Sequence, residues 1–151
     1  MKWQLRWSEM LEFTLLFLLI VLISFYSKII ILAPPFGVSA YLITTMKSAE
    51  ISRRSSILIM YSYAAGVAVL FHTFVGDGTY SMLFSVLAVA AFMVFSGVNH
   101  PPAIALAIFS YLQYTHPGYM FIIISFAVAL LIVSVSSLFS AIRNSLHRMK
   151  K

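Results

Sequence analysis

The sequence predicts an all-α membrane protein: four transmembrane helices plus two short helical segments, each led by a pair of prolines, arranged as an inverted repeat. Three observations carry this reading. Apolar residues make up 62% of the 151-residue chain and charged residues 9%, and the mean hydropathy is +0.98, outside the range of soluble domains. Four apolar stretches, at residues 11–32, 57–75, 80–96 and 119–138, are long enough to cross a hydrocarbon core, which takes about 20 helical residues. The lysines and arginines, finally, demand more crossings than four stretches provide.

In chain order, Lys2 and Arg6 precede the first stretch, with Trp3 and Trp7 as interface anchors. That stretch is too long for a signal-peptide core and lacks a small-residue cleavage site, so it is expected as a mature helix. Lys28, near its end, can snorkel to headgroups or supply a charge on a solute pathway. The next basic group, Lys47, Arg53 and Arg54, belongs on the same cytoplasmic side as the N-terminus. The chain must therefore return within "LAPPFGVSAYLITT", residues 32–45. The second stretch leads to a loop at 76–79 whose one charge is Asp77; His72 and Asp77 are expected as a surface pair or a vestibule. Gly66 is expected at a close helix contact.

The third stretch, with Tyr80 as an interface anchor, runs inward, and the fourth must also run inward to deliver Arg143, His147, Arg148, Lys150 and Lys151 to the cytoplasm. The return falls within "VNHPPAIALAIFSYLQ", residues 98–113, with 113–118, containing His116, on the far side. Both returns contain Pro-Pro. Proline biases its predecessor toward extended backbone and is well tolerated in a first helical turn. Short helices are therefore expected to begin at Pro35 or Phe36 and at Pro102 or Ala103, with Pro34, Pro35, Phe36, Gly97, Pro101 and Pro102 breaking the chain direction. The whole chain forms one transmembrane domain, with residues 10–75 as one repeat and 80–138 as the other. Three crossings in each place the halves in opposite orientation.

Irregular backbone at membrane depth survives where protein buries it or water fills it. Two short helices of opposite direction can aim their N-termini at one midplane site, and each terminus carries about half a positive charge. A small monovalent anion suits such a site. Gly37, Val38 and Ser39 on one side, and Asn99, His100 and Ala103 on the other, are the candidate binding residues. His100 offers one donor when neutral and two when protonated, so it can couple proton and anion movement. The alternative is that Asn99 and His100 form a structural hydrogen-bonded pair. Phe13, Phe17, Phe25, Tyr61, Phe71, Phe92 and Phe95 are expected to face lipid or pack.

"NHPPA" (99–103), together with the earlier "PFGVSAYL" (35–42), resembles the HPP family of small membrane proteins, named for the His-Pro-Pro tripeptide. The resemblance spans about residues 30–139. Its members are described as four-span proteins associated with transport, and plant and cyanobacterial relatives with nitrite uptake. The resemblance thus implies carriage of an anion such as nitrite, with His100, Pro101, Pro102, Phe36, Gly37, Ser39 and Ala40 on its motifs. Val38 stands where the family pattern has alanine, and Ala103–Leu106 where it has glycine and threonine, which makes a drier, narrower site. A Pro-Arg-Asn stretch of the pattern has no clear counterpart near Arg53 and Arg54.

The reading that results is a transporter or channel for a small monovalent anion. An aquaporin-like channel for water or neutral solutes, and a non-transporting scaffold subunit, are the alternatives. The chain has no cysteine, and no cofactor or metal is expected. One candidate acid or base in the core, with no second carboxylate beside it, argues against an enzyme. The net charge of +6 is assigned to topology rather than to nucleic acid. The expected partners are the anion, the lipid bilayer and further copies of the chain, as a dimer or trimer. The expected location is the cell membrane, with both termini cytoplasmic.

Overall fold

A computed structural model describes residues 7–28, 33–47, 49–112 and 119–148. Six α-helices follow one another: α1 Trp7–Tyr26, α2 Ala33–Thr45, α3 Arg54–Phe74, α4 Thr79–Ser96, α5 Pro102–Ser110 and α6 Tyr119–Arg148, with a 3-10 turn at Glu50–Ser52 before α3. Four of them, α1, α3, α4 and α6, are long and apolar enough to span a membrane. The basic N-terminal residues with Trp3, the 113–118 segment with His116, the side chains of Arg143 and His147, and Lys150 and Lys151 lie outside the described residues.

Three boundaries differ from expectation. The first helix stops at Tyr26, not near residue 32, because Lys28 turns the chain with a left-handed φ of 60°. Helix α2 begins at Ala33, so both prolines sit inside its first turn, where no intrahelical N–H is needed. Helix α6 continues to Arg148, ten residues beyond the apolar stretch. Helix α5 begins at Pro102, as Pro-Pro dictates. Just upstream, Gly97 closes α4 with φ 68°, the left-handed cap that favours glycine.

Contacts between helix ends fix the direction of every pass. Lys47, just after α2, meets Glu12 near the start of α1 at 3.0 Å. Arg54, at the start of α3, meets Ser140 late in α6 at 3.2 Å. These four ends share one face, here termed the basic face. At the opposite face His72, late in α3, meets Asp77, and Tyr111, just after α5, meets Ser81 early in α4. The chain therefore does return through α2 and again through the α5 region. At about 1.5 Å per residue, the nine residues of α5 rise only about 13 Å, and the non-helical Gly97–His100 run supplies part of the distance.

The packing is pseudo-symmetric. The main packed pairs are α3·α6, α2·α5, α1·α2 with α4·α5, α3·α4 with α1·α6, and α3·α5 with α2·α6. Exchanging each helix with its counterpart in the other half maps α3·α6 and α2·α5 onto themselves and each of the other pairs onto its partner. An inverted repeat requires this property. The centre is formed where α3 and α6 cross beside the two short helices. There Tyr61, Ala64, Ala65 and Ala68 of α3, Phe36 and Ala40 of α2, Ala103, Leu106 and Ala107 of α5, and Val128, Ala129 and Ile132 of α6 are fully buried. Alanine at this density lets backbones approach closely. Gly37 plays that part between α1 and α2, since a Cβ there would lie 2.8 Å from the Phe17 ring. Gly66, expected at such a contact, faces open space.

Candidate functional site

His100 ends the non-helical run between α4 and α5, where Pro101 and Pro102 hold the backbone, and its side chain is fully buried. Its Nδ1 lies 2.8 Å from the carbonyl oxygen of Ile51, in the 3-10 turn. A carbonyl only accepts, so Nδ1 carries the hydrogen and Nε2 of the neutral ring is an acceptor. Nε2 is 2.8 Å from Ser39 Oγ of α2, whose hydroxyl therefore donates to it. Ser39 Oγ also meets the Tyr61 hydroxyl at 2.6 Å, and Tyr61 donates to the Pro35 carbonyl at 2.7 Å. Phe36 stacks on the Tyr61 ring at 4.1 Å, and the His100 ring meets Tyr61 edge-on at 5.3 Å. One continuous polar chain thus runs from the turn before α3, through the residue ahead of α5, across α2, to α3.

The hydrogens in this chain are scarce. With a neutral His100, the phenolic hydrogen of Tyr61 is shared between Ser39 Oγ and Pro35 O. A proton added at Nε2 would let His100 donate to Ser39, Ser39 to Tyr61 and Tyr61 to Pro35, leaving only the 3.2 Å contact between Ser39 Oγ and Pro35 O without a hydrogen.

Of the residues expected around a midplane anion, Ser39 and His100 are brought together. Gly37 and Ala103 are buried beside them. Gly37 faces Phe17, and the N–H of Ala103 is bonded to His100 O at 3.1 Å. Val38 is 51% exposed and Asn99 is exposed, so neither joins the chain. The proline pairs of both tips line one groove. Pro34, Pro35, Pro101 and Pro102 remove N–H groups from both, and the N–H of Ile104 is bonded to Pro101 O. The space between α2 and α5 is a groove of about 340 Å³ lined by apolar residues, Val38, Leu42, Ala105 and Phe109 among them. Proline serves helix initiation here at the cost of the donors an anion would use. Lys28 is exposed beyond the end of α1.

Two participants escaped the sequence reading. Tyr61, expected to pack or face lipid, is a buried hydrogen-bonding partner; its spacing from Ala64, Ala65 and Ala68 marks the same helix face but does not reveal the hydroxyl's role. Glu12 is a core carboxylate where none was expected. It is 1% exposed, accepts from Lys47 with Oε2, and has no partner for Oε1 among the described residues. Its signal was present: a carboxylate inside an apolar span is costly enough to need a cation. At the face opposite the basic one, His72 lies 2.5 Å from Asp77 and 3.4 Å from Ser110, with Tyr111 stacked on its ring at 3.8 Å. The vestibule pair expected from sequence is thus a cluster tying α3, the α3–α4 loop and the end of α5.

Four spanning helices, two proline-led short helices in opposite directions and a buried histidine chain between them define an integral membrane protein with paired, interrupted halves. The chain belongs to the HPP family: the family's transmembrane region matches residues 2–149. No curated protein and no solved structure matches the chain.

Proposed function

We propose that this protein carries a small monovalent anion across the membrane, with nitrite as the first candidate, and moves a proton with it. The observation that carries the reading is the His100 chain. A titratable side chain is fully buried between the two short helices, held through both ring nitrogens. Ionisable residues at membrane depth are expensive and are retained at substrate and proton pathways. A proton at Nε2 would reverse the Ser39 contact, so that His100 donates to Ser39 Oγ and its charge offsets that of a passing anion. The seal between α2 and α5 then corresponds to a closed state, and transport requires the apolar groove between them to open. In this reading the basic face is cytoplasmic, the protein resides in the cell membrane, and it assembles as a dimer or trimer.

A second reading has a specific observation in its favour. The core around Tyr61, Phe36, Leu106 and His100 is filled by side chains, as a non-transporting membrane subunit would need. Flux separates the two. Purified protein in liposomes, challenged with nitrite under an inward proton gradient, is expected to take it up faster than empty liposomes. His100→Ala is expected to abolish the gradient dependence. Uptake equal to that of empty liposomes across pH 5 to 8, a range that brackets the ordinary histidine pKa of about 6.5, rejects the transport reading.

A further inference from the structure

A second polar feature lies at the basic face, separate from the His100 chain. A cavity of about 470 Å³ opens between the end of α2, the start of α3 and the latter half of α6. Lys47, Arg53 and Arg54 line it with Ser55, Ser136 and Ser140. Three cations converge here, and the nearest paired carboxylate is Glu12, which holds Lys47 from behind at 3.0 Å. Neither arginine has a carboxylate partner among the described residues. Arg54 uses one N–H on Ser140 Oγ at 3.2 Å, which fixes the guanidinium on the cavity wall and leaves the rest of its donors unspent. The first turn of α3 has no side-chain cap: Arg53 occupies the cap position with extended backbone, φ −64° and ψ 125°. The positive end of a 21-residue helix therefore adds to the same wall.

We propose that this cavity binds a phosphate group. The donors are planar guanidinium forks, an ammonium, serine hydroxyls and backbone N–H groups, the set that matches an oxyanion with three or four acceptor oxygens. Size separates this ligand from the transported anion of the previous section. A triatomic anion displaces a volume comparable to a water's share of about 30 Å³, whereas the cavity, at about 470 Å³, is more than ten times larger. Two guanidinium groups lining one cavity also present more positive charge than a monovalent ion neutralises. The cavity sits at the basic ends of the helices, and basic pockets between helices at such ends take phosphate-bearing headgroups. The same chemistry is offered by a phospholipid headgroup or by free phosphate, and the site's existence does not depend on transport.

The test uses the full chain in two arms. In the first, protein in nanodiscs of mixed phosphatidylglycerol and phosphatidylcholine is released into the gas phase and its retained lipids are counted by native mass spectrometry. In the second, inorganic phosphate is titrated calorimetrically into protein in a non-ionic detergent. Wild type is expected to retain phosphatidylglycerol over phosphatidylcholine, or to bind phosphate, and the Arg53→Gln/Arg54→Gln double variant to lose at least tenfold of that binding. Arg53→Lys/Arg54→Lys keeps the charge but not the forks and is expected to fall between. Retention in the first arm alone assigns the site to lipid, and heat in the second arm alone assigns it to free phosphate. Monodisperse elution with unchanged helical circular dichroism confirms that the variants are folded. Absence of both signals in wild type, or equal signals in a folded double variant, overturns the proposal.

Discussion

Replacing Ser39 by alanine removes the hub of the buried polar chain with almost no change in volume. Four contacts converge on that hydroxyl or its immediate partners: His100 Nε2 at 2.8 Å, Tyr61 at 2.6 Å, Pro35 O at 3.2 Å, and Tyr61 to Pro35 O at 2.7 Å. Without Ser39, the Tyr61 hydroxyl still donates to Pro35 O, but Nε2 of a fully buried ring has lost its donor. An orphaned buried acceptor costs about 1–3 kcal/mol in water-soluble proteins. Interhelical hydrogen bonds in bilayers average about 0.6 and reach about 1.7 kcal/mol, because the unfolded chain in the membrane also finds partners. The loss expected for Ser39→Ala is therefore about 1–2 kcal/mol. Tyr61→Phe removes a hydroxyl and leaves no acceptor bare, since Ser39 keeps its hydrogen on His100 and the Pro35 carbonyl keeps its backbone bond within α2. About 0.5–1 kcal/mol is expected there. The assay is equilibrium unfolding of purified protein in mixed micelles by titration with a denaturing detergent, read by circular dichroism. The ordering is the decisive result: if Tyr61→Phe destabilises as much as Ser39→Ala or more, the assignment of Nε2 as the acceptor is wrong.

Two further predictions concern the helix contacts. Gly37→Leu drives a side chain into the Phe17 ring, 2.8 Å from where its Cβ would sit, and is expected to cost about 1–3 kcal/mol by overpacking in the same unfolding assay; adding Phe17→Ala should restore part of the loss, and no recovery would place the strain elsewhere. At the basic face, Lys47→Met should cost about 3 kcal/mol, because it leaves the Glu12 carboxylate, 1% exposed, without its cation. Glu12→Gln should cost much less, since the Lys47 side chain is 29% exposed and can turn to water, while Glu12 sheds a charge whose Oε1 has no partner among the described residues. Equal losses for the two variants would contradict the burial asymmetry on which this rests.

The sequence by itself determined which stretches span the bilayer, that the chain must turn back twice more than those stretches allow, and that each return starts at a proline pair. These are one-dimensional properties: an apolar solvent about 30 Å thick selects for run length, charge sidedness selects for parity, and proline acts on its own backbone and its neighbour's. His100 and Ser39, which the structure brings together, were legible as candidates because polar groups inside apolar runs are rare and costly. Tertiary structure alone decided which way each side chain points and what it meets. Tyr61 could not be told from the other aromatics until the rotation of α3 placed its hydroxyl between Ser39 and Pro35. Glu12 and Lys47, 35 residues apart, become a pair because α2 returns antiparallel to α1. The α2–α5 gap is apolar because the prolines that start both helices also strip their tips of donors, and the polar cavity forms instead where α2, α3 and α6 converge. Partnership between residues far apart in the chain depends on helix rotation and packing offset, and neither is encoded in hydrophobic run length.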